Sequence, residues 1–126
     1  GSEQELADRL VRYLGGEPVD FADLDLVPTW EALGLTPFTR RVLEAIRAIP
    51  RGATASYADI AAEAGAPRAA RAAGTACARG PLALIVPYHR VIASDGTIGS
   101  YGPDGTGTKR RLLALEGVAL AARGGR

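Results

Sequence analysis

One cysteine, Cys77, and one histidine, His89, are the only soft metal ligands in this 126-residue chain. A lone thiol excludes an internal disulfide and any cysteine-rich zinc site. One His beside one Cys cannot build a protein metal cage, so neither a metal nor another cofactor is expected. No apolar run approaches the roughly 20 residues that a membrane span requires. The charged-then-apolar start of a secretory signal is missing as well. These absences point to a cytoplasmic protein with no membrane partner. Internal repeats are also lacking. Lysine is nearly absent: almost every basic side chain is Arg. With abundant Ala and Gly, that usage points to a GC-rich bacterial genome.

What is present fits one compact domain with a terminal appendage. Gly1-Ser2 reads as a cloning scar. The two parts of the chain differ in charge. Residues 1–50 carry nine acidic and five basic side chains, and residues 51–126 carry five acidic and ten basic. A phosphate-facing module would show this asymmetry, and so would an uneven solvated surface.

Leu6, Leu10, Val11 and Leu14 recur at helical spacing, and Gly15-Gly16 closes that segment. Residues 18–28, with Phe21, Leu24 and Leu26, read as a short extended stretch or loop. Thr36 can cap a second helix that Pro37 opens, with an apolar stripe of Phe38, Val42, Ala45, Ile46 and Ile49. Ser56 and Asp59 stand three apart, as in a capping box, and Gly65 ends that helix. Pro67 is expected to open the next helix, running to about Arg79. Two short helices joined by a Gly-containing turn make a helix-turn-helix pattern, which many packed helix pairs also match. The second of them combines small residues with Arg68, Arg71 and Arg79. So slim a face suits either entry into a minor groove about 6 Å wide or a close helix–helix contact. A last helix is expected over residues 108–120. Lys109, Arg110 and Arg111 near its start oppose the helix dipole, which suggests another role for them. The Arg123-Gly124-Gly125-Arg126 tail is expected to be flexible.

Leu84-Ile85-Val86 leads into Pro87-Tyr88-His89-Arg90-Val91, and Ser94-Asp95-Gly96-Thr97-Ile98-Gly99-Ser100-Tyr101-Gly102 follows. These read as a short buried strand, a tight turn and a Gly-rich hairpin. Together with Thr36-Pro37-Phe38, Ile49-Pro50-Arg51-Gly52, Ser56-Tyr57, Pro67-Arg68-Ala69-Ala70-Arg71-Ala72, Ala76-Cys77-Ala78 and Leu115-Glu116-Gly117, they resemble the DNA-binding domain of the O6-alkylguanine-DNA alkyltransferase family. The resemblance covers about residues 35–118. It implies a mainly α fold with a small β element, an α+β domain with a winged-helix-like helix-turn-helix. Residues 1–34 would be the tag and the remnant of an N-terminal domain, residues 35–120 the DNA-binding domain and residues 121–126 the tail.

The resemblance also implies roles for particular residues. Tyr88 occupies the position of the family's acceptor cysteine, with His89 and Glu116 at the relay positions that would ionise a thiol. Duplex DNA containing alkylated guanine would be the partner, bound as a monomer through Tyr57, Arg68, Ala70, Arg71, Gly74 and Thr75. Arg71 would fill the gap left by an everted guanine, and Tyr57 would turn the target phosphate; Tyr57 also fits an ordinary helix-start aromatic. Arg79, Lys109 and Arg110 would add phosphate contacts. Val86, Pro87, Tyr88, Ile98, Gly99, Ser100 and Tyr101 would line the lesion pocket.

Two family features are missing: Gly80 stands where the family usually has an asparagine that bridges to the turn, and Ala78, with Arg79 next door, stands where an arginine or similar residue is common. A phenol ionises near pH 10 against about 8.5 for a thiol, and its oxygen is a poorer nucleophile toward alkyl carbon. The resemblance therefore implies an alkyltransferase-like protein that recognises the lesion without repairing it and flags it to nucleotide excision repair proteins. A single alkyl transfer to Tyr88 and a lesion-insensitive DNA-binding module are the alternatives.

Overall fold

The computed structural model describes residues 2–79, 82, 84–93 and 106–118. Six helices and one two-stranded parallel sheet are found there: α1 (Ser2–Leu14), α2 (Val27–Ala32), α3 (Pro37–Arg47), β1 (Ala55–Ser56), α4 (Tyr57–Glu63), α5 (Ala70–Arg79), β2 (Val91–Ile92) and α6 (Thr106–Leu115). A single 3-10 turn, Tyr88–Arg90, precedes β2. The mainly helical class with a small β element is therefore the observed one. No described helix is long and apolar enough to cross a membrane.

Local chemistry accounts for the helix starts. Thr36 accepts from the Thr39 N–H with Pro37 in the first turn, supplying the acceptor and the fixed φ that a helix start needs. Ser56 and Asp59 close a reciprocal capping box on α4. α6 stops earlier than its sequence suggests. Gly117 adopts φ +81°, and the Val118 and Gly117 amides fold back onto Leu113 and Ala114. This Schellman geometry ends the helix at Leu115 and makes Glu116 its C-cap.

Three further expectations are corrected. Val27–Ala32 is helical, with Pro28 in its first turn rather than ending an extended stretch. α5 begins at Ala70, because Pro67 and Arg68 form the centre of a turn closed by the Ala69 N–H on Ala66 O at 2.8 Å. A proline suits the second position of a β-turn as well as a helix start, so spacing alone could not separate the two. Residues 84–86 form no strand beyond an isolated bridge residue at Val86; the β segment follows the turn, where Ala55 pairs with Val91 and Ser56 with Ile92. The expected hairpin over 94–102 and the tail lie outside the described residues.

α3, α4 and α5 pack on one another around a core of Trp30, Val42, Leu43, Ile46, Ile60 and Val91. Trp30 hands its indole N–H to Glu44 at 2.6 Å. A smaller cluster of Tyr13, Phe21 and Leu112 joins α1 to α6. Val11 and Leu14, expected on the buried stripe of α1, are exposed. The face that packs carries Leu6, Leu10 and Tyr13.

Candidate functional site

Tyr88 sits at the start of the 3-10 turn, 3 % exposed within the main core. Its backbone N–H bonds to Val86 O, and the Arg90 N–H closes the turn on Pro87 O at 2.9 Å. Leu82 and Leu84, just upstream, have φ of +61° and +79°. Side chains other than glycine tolerate this region poorly, at about 1–3 kcal/mol per residue, so the approach to the turn is strained.

The two residues after Tyr88 both end on the C-cap of α6. His89 Nε2 lies 2.7 Å from Glu116 Oε2. Arg90 forks onto the same carboxylate, Nε to Oε1 and NH2 to Oε2, both at 2.8 Å. A further Arg90 nitrogen donates to Ile49 O at 2.6 Å. A fourth partner arrives from α1: the Tyr13 hydroxyl donates to Glu116 Oε2 at 2.5 Å and lies 3.3 Å from His89 Nε2. The Arg51 guanidinium covers the Tyr13 ring at 5.6 Å.

Burial alone would raise the Glu116 carboxyl, but hydrogen bonds from His89, Arg90 and Tyr13 hold it well below the ordinary carboxylate range. Burial, and then the bond to Glu116, push the Tyr13 phenol well above its usual value, so it stays a protonated donor. An ionised carboxylate oxygen can only accept, so His89 Nε2 carries the proton in that contact. The relay positions His89 and Glu116 are thus brought together beside Tyr88. Tyr13 and the role of Arg90 were not anticipated from sequence.

Of the residues expected to face DNA, Arg68, Arg71 and Thr75 are exposed, and Tyr57, Ala70 and Gly74 are half-buried. The Thr75 hydroxyl donates back to Arg71 O at 3.2 Å. A Cβ on Gly74 would meet the Tyr57 ring at 3.7 Å, an ordinary contact, so the protein's own packing does not demand glycine there. Arg110 is exposed, but Lys109, expected among the phosphate contacts, is 1 % exposed. Its stem packs inward from α6, and Nζ lies 3.4 Å from the Tyr57 hydroxyl and 5.6 Å from the Tyr57 ring centroid. Burial lowers this amine to about 8. The half-buried Cys77 thiol, which interacts electrostatically with Lys109, is pushed up by burial to about 11; it is no ready nucleophile.

Of the expected lesion-pocket residues, Val86, Pro87 and Tyr88 are buried. Ile98, Gly99, Ser100 and Tyr101 lie outside the described residues, as do Gly80 and the Arg79 side chain. Among the described residues, a cleft of about 350 Å³ between residues 18–22 and the end of α3 is lined by Pro87 and Arg90. A groove of about 320 Å³ runs between α3 and α4. Tyr88 lines neither. No group of three or more potential metal ligands occurs among the described residues.

The family model of the 6-O-methylguanine DNA methyltransferase DNA-binding domain matches residues 37–118. The methylated-DNA–protein-cysteine methyltransferase of Methanothermobacter thermautotrophicus is 43 % identical over 117 residues, spanning 93 % of this chain and 62 % of its own length. Its namesake from Mycobacterium leprae is 44 % identical over 117 residues, spanning 92 % of this chain and 66 % of its own. The chain therefore covers less than two thirds of these relatives.

Among solved structures, Mycobacterium tuberculosis OGT in complex with DNA superposes with a TM-score of 0.75 at 43 % identity, covering 89 % of this chain and 64 % of that one. S. pombe Atl1 in complex with damaged DNA containing O6-carboxymethylguanine gives a TM-score of 0.60 at 35 % identity, covering 65 % of this chain and 77 % of that one. With most of its length inside one family model and with relatives this similar, the chain belongs to the family of 6-O-methylguanine DNA methyltransferases.

Proposed function

We propose that this chain is a non-catalytic member of that family. It binds duplex DNA through α4 and α5, everts guanine alkylated on O6, holds it beside Tyr88 and leaves the alkyl group in place for nucleotide excision repair. The observation that carries this reading is the identity and setting of residue 88. Tyr88 precedes a histidine bound to Glu116 at 2.7 Å, so the turn keeps the pair that would serve a thiol while offering only a phenol. The nearby carboxylate is already committed to Arg90, His89 and Tyr13.

The DNA-facing half of the reading is supported by exposed Arg68, Arg71 and Arg110. Phosphate contacts from such side chains give affinity without sequence preference. A guanidinium stacked into the vacated base position offsets part of the few kcal/mol that eversion costs. The family relatives in complex with DNA support duplex DNA as the partner.

The test is a titration of fluorescent duplexes that differ only in one O6-methylguanine. Tighter binding of the alkylated duplex with no gain in intact protein mass is the expected result. Equal affinities would remove lesion recognition, and a mass gain at Tyr88 would make the chain an acceptor. A second reading, a lesion-insensitive DNA-binding module, draws on the burial of Tyr88 and its absence from both described cavities. It predicts binding that drops with Arg71→Ala and ignores both the lesion and Tyr88→Ala.

A further inference from the structure

Lys109 is the chain's only lysine, and it lies 1 % exposed in α6 with no carboxylate within ion-pair distance among the described residues. Burying an ammonium without a counter-ion is unfavourable, and buried charges are normally paired. An apolar side chain of similar length would fill the same space at lower cost. The lowered basicity of this amine, about 8, is the same cost expressed as proton affinity.

The nitrogen's described hydrogen-bond and ring contacts converge on Tyr57, and the Cys77 thiol acts on it only electrostatically. Nζ is 3.4 Å from the hydroxyl oxygen, nearer to that end of the ring than to its centroid at 5.6 Å. An ammonium has only donors to offer, so the Tyr57 oxygen must accept. A phenol whose oxygen accepts from one side keeps its own O–H for a partner elsewhere. Tyr57 is half-buried at the first position of α4, and its ring lies against Gly74 of α5.

We propose that Lys109 is a positioning residue for DNA binding, its buried amine holding and polarising the Tyr57 hydroxyl from behind so that this hydroxyl donates outward to a backbone phosphate. The inference rests on the reading that α4 and α5 face DNA. Charge-assisted donors are stronger than neutral ones, and the phosphate supplies, one hydroxyl removed, the anion that the described residues do not provide.

The experiment compares wild type with Lys109→Met, Lys109→Gln, Tyr57→Phe and Lys109→Met/Tyr57→Phe. It measures thermal unfolding and affinity for a duplex carrying one O6-methylguanine. Lys109→Met is expected to unfold at the same or a higher temperature while binding roughly three- to tenfold more weakly, the range that one net hydrogen bond spans. Lys109→Gln keeps a donor for Tyr57 and recovers part of that loss. The double variant binds no more weakly than Tyr57→Phe alone.

Wild-type affinity in Lys109→Met overturns the proposal, as does an equal further loss in the Tyr57→Phe background or a lower unfolding temperature. Tyr57→Phe binding like wild type would instead remove Tyr57 as a DNA contact, so the failure of the underlying reading is separately visible.

Discussion

The Tyr13 hydroxyl donates to Glu116 Oε2 at 2.5 Å across 103 residues of sequence. This bond ties the N-terminal helix to the C-cap that holds both residues following Tyr88. Tyr13→Phe is expected to destabilise by about 1.5–3 kcal/mol, the range for a hydrogen bond to a charged group. Glu116→Gln should cost more, about 3–5 kcal/mol, because it leaves Arg90 buried without its counter-charge. Denaturant unfolding measures both. A Tyr13→Phe midpoint equal to wild type would show that α1 contributes nothing through this contact.

Acid sensitivity follows from the same carboxylate. Glu116 ionises well below its ordinary value of 4.5 in the folded state. The folded chain therefore resists the proton that the unfolded chain accepts. This stabilisation is complete above about pH 4.5 and is lost as the pH falls toward the depressed folded value. Unfolding free energies should fall more steeply in wild type than in Glu116→Gln as the pH drops from about 6 to about 3. Parallel slopes would refute the assignment.

At alkaline pH Lys109 and Cys77 act in opposition. Lys109 titrates near 8 when folded against 10.5 in its ordinary state. Between those values the unfolded chain binds the extra proton, so stability rises with pH. Cys77 moves the other way, from 9.0 to about 11, and lowers stability across its own window. A rise of at most about 1.4 kcal/mol per pH unit is expected between about pH 8 and 9, then a plateau where the two slopes cancel, until the raised Tyr13 and Tyr57 phenols draw stability down above about pH 10. Lys109→Met should flatten the first part and turn the second downward in urea titrations.

The assembled His89–Glu116 pair suggests a gain of chemistry. Tyr88→Cys should take up one alkyl group per molecule from a duplex containing O6-methylguanine, read as a mass increase on the peptide bearing residue 88. Wild type should show none. Combining Tyr88→Cys with Glu116→Gln should slow the uptake by about 10²-fold, within the range for positioned proton transfer. A Tyr88→Cys protein that binds the lesion and stays unmodified would show that the asparagine which the family resemblance implies at Gly80 matters more than the His89–Glu116 pair.

Local signals made much of the fold legible. The caps at Thr36 and Ser56 act within three residues of themselves, so spacing alone locates α3 and α4. The His89–Glu116 pairing came from family resemblance, since nothing local joins residues 27 apart. The helical stripe through Val11 and Leu14 hides Tyr13. Leu6, Leu10 and Tyr13 also fall at i, i+4 and i+7, and only tertiary packing chooses between the two faces. The short α2 carries no cap side chain or repeated apolar pattern that would reveal it. Lys109 reads as a surface cation because lysine almost always is one, and its burial depends on Tyr57, 52 residues away.

Ser56 has two duties: it pairs with Ile92 in the parallel ladder and caps the first turn of α4. No linker separates the strand from the helix, and Val91 follows the Tyr88–Arg90 turn with equal abruptness. The α4–α5 pair and the residue-88 turn are therefore coupled like two arms on one rivet. If α4 pivots, either the ladder or the cap must give way, so tension at one end reaches the other without slack.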